Sequence, residues 1–110
     1  MADNRKYYYL KLKENFFDSD SIVLLEDMKD GILYSNILLK LYLKSLKNGG
    51  RLQLDEHIPY TAQMIATLTR HQIGTVERAL AIFQQLGLVE QLACGLLYMT
   101  DIELMIGQSS

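Results

Sequence analysis

The sequence predicts a mainly α-helical domain with a small β-hairpin, and three patterns predict it. Residues 32 to 47 are apolar almost all round, as in a helix at the centre of a core. Residues 61 to 86 hold a short amphipathic helix, a polar interruption and a longer amphipathic helix. Two short apolar-rich segments follow, separated by Ala93, Cys94 and Gly95, which reads as a hairpin with a glycine turn. A helix, a turn and a second helix followed by a hairpin is the winged helix-turn-helix pattern.

Taken in order, Tyr7 to Leu12 alternates, with Tyr8, Leu10 and Leu12 on one face and Tyr7, Tyr9 and Lys11 on the other, the period of a half-buried strand. Asp18, Ser19, Asp20 and Ser21 offer N-cap oxygens ahead of Ile22, Leu24, Leu25 and Met28, so a short first helix begins there and stops or bends at Gly31. The same cluster could suggest a metal loop, but capping explains it with fewer assumptions. The long helix follows and closes at Gly49 and Gly50. Its polar residues Asn36, Lys40, Lys44 and Lys47 form a stripe. That stripe reads either as a solvated face or as phosphate contacts beside a DNA-reading helix. Arg51 to Leu54 suggests a small strand, and the loop after it holds the single proline, Pro59.

Met64, Ile65 and Leu68 mark a two-turn helix over Thr61 to Leu68, and Thr69 to Gln72 forms the turn. From about Gln72, Ile73, Val76, Leu80 and Phe83 repeat at three, four and three residues and define a buried face, with Gly87 as the C-cap. The opposite face carries Gly74, Arg78, Ala81 and Gln85, with Glu77 and Gln84 beside it. Gly74 and Ala81 are small enough to admit a groove, and Arg78 and Gln85 can hydrogen-bond base edges or phosphates. Any surface helix also shows a polar face, which is the plainer reading. Thr75 is expected to join the groove-facing set, and Arg70, His71 and the lysines to lie near phosphates. The terminal Ile102, Leu104, Met105 and Ile106 are expected to form a helix over the long one or to supply surface for a homodimer.

Composition narrows the function. The 110 residues carry eleven Lys and Arg against thirteen Asp and Glu, a net charge of -2. Up to Arg51 there are nine cations, including Arg5 and Lys6, and seven anions, a net +2; from Leu52 onward two cations face six anions, a net -4. Charge alone will not hold nucleic acid, so any DNA contact must come from local basic groups. Between Leu88 and Met99 the only charge is Glu90, which disfavours insertion of the wing into a minor groove. One cysteine, Cys94, and no signal-peptide pattern point to a reducing, cytoplasmic setting. No apolar run approaches the roughly 18 residues of a membrane span. His57 and His71 stand in different segments, Asp55 and Glu56 are neighbours in a loop, and there is no phosphate loop or metal-ligand spacing. Neither catalysis, a metal nor a cofactor is expected.

The run TVERALAIFQQLGLV, residues 75 to 89, resembles the recognition-helix-to-wing segment of winged-helix proteins. The chain as a whole, from about Lys6 to Gln108, resembles the N-terminal region of the phage replisome organiser family. Its most specific pieces are YYLKL with Phe16 and Phe17, IPYT at Ile58 to Thr61 and MIG at Met105 to Gly107. Members of that family resemble the bacterial primosome protein DnaD at their N-termini. The resemblance implies a role in starting replication of a phage or prophage genome, and a chain that continues into a linker and a second domain. Residues 1–110 are then one winged-helix domain, the N-terminal part of a longer protein. Its expected function is to recognise double-stranded DNA at a replication origin and to nucleate an assembly with replication-initiation proteins. Two other readings stay open: a protein-interaction or oligomerisation module of the same replication protein, and a winged-helix transcriptional regulator.

Overall fold

The computed structural model describes residues 7–109. Strand β1 (Tyr7–Leu10) leads through a 3₁₀ turn at Phe16–Asp18 into α1 (Asp20–Asp27) and α2 (Gly31–Ser45). Strands β2 (Arg51–Asp55) and β3 (Ile58–Pro59) precede α3 (Ala62–Thr69) and α4 (Ile73–Gln85). Strands β4 (Val89–Gln91) and β5 (Leu97–Met99), a 3₁₀ turn at Ile102–Leu104 and β6 (Ile106–Ser109) complete the order. Asp3, Arg5 and Lys6, which enter the charge balance of the first half, lie outside the described residues.

α2 is central because its side chains are apolar on most of its circumference. Ile37, Leu38, Leu41 and Tyr42 are buried there against Ile22 and Leu25 of α1, Ile65 of α3, and Val76, Ala79 and Phe83 of α4. Fully burying a side chain such as Leu38 or Phe83 contributes about 1.5–3 kcal/mol. Ser45 satisfies its buried hydroxyl by donating to the Tyr42 carbonyl at 2.9 Å.

The fold is mixed rather than helical with one hairpin. β4 and β5 pair as expected, with Val89 opposite Met99 and both buried. They belong to a four-stranded antiparallel sheet in the order β3-β2-β5-β4. β2 therefore holds the inner edge of the hairpin, through Arg51 opposite Tyr98 and Leu52 opposite Leu97.

The expected C-terminal helix is absent, a correction to the sequence reading. Ile102–Leu104 makes a single 3₁₀ turn, and the chain then extends as β6 against β1, with Tyr9 opposite Gly107 and Leu10 opposite Ile106. Gly107 permits this pairing: the Tyr9 ring occupies the space where any side chain at 107 would stand. The β1 strand is also shorter than expected, ending at Leu10, and Leu12 is exposed.

No helix among the described residues is long and apolar enough to cross a membrane, and no group of three or more His, Cys, Asp or Glu among them is placed to hold a metal.

Candidate nucleic-acid interface

α3 and α4 are joined by the short turn at residues 70–72. Thr61 caps α3, its hydroxyl accepting from the Met64 amide at 3.1 Å, and the helix ends at Arg70, which stands in the left-handed region at φ 63°. That conformation usually falls to Gly or Asn because a β-carbon crowds the following carbonyl. The chain leaves it extended through Gln72 and enters α4 at Ile73.

Two contacts from α2 fix this turn. Lys40 Nζ donates to the carbonyl of Thr69 at 2.7 Å, satisfying one of the orphan acceptors at the end of α3. His71 Nε2 donates to Asn36 Oδ1 at 2.8 Å. The front half of the polar stripe on α2 is thus an internal brace. Burial, and then the Lys40 ammonium, hold the His71 imidazole below its ordinary value of 6.5, so it is neutral near pH 7. Lys40 and His71, both expected near phosphates, are thus each engaged within the fold, by Thr69 and by Asn36.

On α4, Val76, Ala79 and Phe83 are fully buried, with Thr75 and Leu80 flanking them. Thr75 at 7% exposed faces the core, which corrects its place in the groove-facing set. The buried arc is wide because α4 packs on both α2 and α3, and it takes in the side chain next to Val76. The exposed arc is centred on Ala81, with Arg78 and Gln85 to one side, Glu77 and Gln84 to the other, and Gly74 half-buried at its start. Arg78 and Glu77 make this face formally neutral.

Arg78 is held in place. Its Nε donates to the Tyr34 hydroxyl at 3.3 Å, and its Nη2 lies 3.9 Å from Asp30 Oδ2. The Tyr34 hydrogen bond raises the guanidinium further above its already high ordinary pKa. A β-carbon on Gly74 would sit 3.5 Å from Arg78 Nη1, so the guanidinium lies over the first turn of α4. Tyr34 and Asp30 were missed from sequence. The one signal was their spacing of four, which puts both on one side of the α2 entry; nothing local places Arg78 opposite them.

Of the remaining expected contacts, Arg70, Lys44 and Lys47 are exposed, and no ion pair among the described residues involves them. The loop of the hairpin closes by Leu92 N to Leu96 O at 2.7 Å and Gly95 N to Leu92 O at 2.9 Å, with Cys94 exposed at its tip. The arrangement offers a neutral hydrogen-bonding helix face with Arg70 at its N-terminal end.

A search of curated proteins and a search of solved structures each return no match. Residues 9–110, nearly the whole chain, match the N-terminal phage replisome organiser family. With the sequence resemblance and this match in agreement, the chain belongs to the N-terminal phage replisome organiser family.

Proposed function

We propose that residues 1–110 are a winged-helix DNA-binding domain at the N-terminal end of a longer cytoplasmic replication-initiation protein. In this reading α4 enters the major groove of origin duplex DNA and the β4–β5 hairpin is the wing. The observation that carries the reading is the arc of α4 around Ala81, which no other element among the described residues covers and whose small residues admit a groove wall. Arg78 and Gln85 read base edges or phosphates there, and Arg70 meets the phosphate backbone at the head of the helix. Lys44 and Lys47 supply further phosphate contacts. The domain has no catalytic role. It works as a homodimer, so that two modest contacts reinforce each other through effective concentration, and it recruits replication-initiation proteins.

The test is fluorescence anisotropy of an origin-region duplex and a scrambled one, titrated at two salt concentrations. Saturable binding that prefers the origin sequence, weakens with salt and is lost or reduced in Arg78→Ala supports the reading. Unchanged affinity in a folded Arg78→Ala protein removes Arg78 from the interface.

A second reading is favoured by the neutral reading face and by a wing without Lys or Arg: the same fold serves as an assembly module, and another part of the protein contacts DNA. Absence of duplex binding up to roughly 100 μM, the reach of non-specific affinities, selects it.

A further inference from the structure

α2 carries large apolar side chains that no part of the described fold covers. Ile32 is 67% exposed and Leu43 is 54% exposed, with Leu39 half-buried between them. At ~100° per residue these three fall within about 40° of one another, so they form one stripe along the helix. Its borders follow from contacts already made. On one side Ser35 donates to Glu26 at 2.6 Å, and the Phe16 ring sits 6.4 Å from that of Tyr42, so α1 runs back alongside α2. On the other side Asn36 and Lys40 hold the α3–α4 turn.

The α1 border extends the apolar surface and sets its charge. Glu26 faces α2, and going outward around α1 come Val23, 51% exposed, then the exposed Asp27 and Asp20. The opposite border, toward the end of α2, carries the exposed Lys47, with the exposed Lys44 further round the helix. One face therefore has an apolar floor, an acidic flank and a basic flank. A closed two-fold contact uses the same patch on both copies. With the two α2 helices side by side and pointing the same way, the acidic flank of each copy meets the basic flank of the other. Reversing one helix sets lysine against lysine and is disfavoured.

We infer that this face, the Ile32–Leu39–Leu43 stripe with its α1 border, is where a second copy of the chain docks. The inference deepens the homodimer reading above and names its contact. Ile32 and Leu43 are the anchors, and pairing of Asp20 with Lys47 of the partner subunit sets the orientation. Lys47 then serves the dimer before it serves DNA.

Sedimentation velocity over roughly 1 to 100 μM protein, the affinity range of modest interfaces, tests it. The expected result is a concentration-dependent dimer whose dissociation constant rises about tenfold or more in Ile32→Asp, with the thermal melt little changed because the side chain is exposed. Asp20→Lys weakens the dimer, and adding Lys47→Asp restores it. A chain that stays monomeric throughout overturns both this inference and the homodimer reading, and leaves the face to a partner of different sequence. A dimer that ignores Ile32→Asp, Leu43→Asp and the charge exchange keeps the homodimer reading and overturns this face.

Discussion

Arg78 of α4 donates to the Tyr34 hydroxyl of α2 at 3.3 Å across a sequence separation of 44 residues. Tyr34 is itself nearly buried at 4% exposed, so its hydroxyl is a fixed acceptor, whereas the arginine is long and half in water. The bond therefore orders the guanidinium rather than the tyrosine. An ordered cation loses less entropy when it meets a groove.

Replacing Tyr34 with Phe removes one oxygen and leaves the ring packed. We expect origin-duplex affinity to fall about two- to fivefold, as for loss of one modest hydrogen bond. Arg78→Ala should fall further, and the double variant should be no worse than Arg78→Ala alone, because Tyr34 acts only through Arg78. Anisotropy on the four proteins completes the cycle. Tighter binding by Tyr34→Phe would mean that Tyr34 holds Arg78 away from DNA.

Gly31 gives a prediction on the fold in which two effects have opposite signs. Helix propensity favours Ala over Gly by about 1 kcal/mol in a helix interior and by less at the first residue of α2, where Gly31 stands. A β-carbon at Gly31, however, would lie 2.5 Å from the carbonyl oxygens of Leu25 and Glu26, which are backbone and cannot swing aside. α1 would have to move, uncovering Ile22 and Leu25. Gly31→Ala should therefore destabilise by about 2 kcal/mol or more in chemical denaturation, since overpacking outweighs propensity. It should also displace the neighbouring Asp30 from Arg78.

The helices were legible because each writes its own period. The all-round apolar run became α2, and the Val76, Leu80 and Phe83 spacing gave α4 its buried side. What escaped were pairings between distant segments. β1 and β6 stand at opposite ends of the chain, and nothing near Ile106 says that its partner is Leu10. The candidate site divides the same way. Ala81 and Gln85 could be placed from the angle around one helix, whereas the engagement of Lys40 by Thr69 and of Arg78 by Tyr34 depends on how separate helices meet. Thr75 was misplaced because a spacing argument gives the centre of a buried arc and not its width.

The depressed pKa of His71 makes stability depend on pH. Its folded value lies below 6.5, so in the window between the two values the unfolded chain binds the proton and the folded chain does not. Stability from this group is present above pH 6.5 and is lost as pH falls through the folded value. Denaturation midpoints at about pH 7.5 and about pH 5.5 should therefore differ more in the wild-type chain than in His71→Gln, which keeps a donor for Asn36 but cannot titrate there. An equal difference in both proteins would remove His71 as a source of the pH dependence.

Arg70 joins stability to the proposed function. Its φ of 63° lies where a β-carbon is crowded, a strain of about 1–2 kcal/mol that Gly escapes. Part of that gain is offset by the greater freedom of Gly in the unfolded chain, so Arg70→Gly should stabilise the fold by about 0.5–1 kcal/mol. The hydrogen bonds that close the turn, including His71 N to Ala66 O at 3.1 Å, are backbone bonds and survive the change. A more stable protein that binds duplex more weakly, with the slope of log affinity against log salt reduced by about one, is the signature of a cation kept at a strained position for a phosphate. Arg70→Asn, also at ease in the left-handed region, should behave the same way. If both variants are stabilised and bind duplex as well as the wild-type chain, Arg70 has no part in the interface, and the reading of α4 loses its phosphate anchor at the head of the helix.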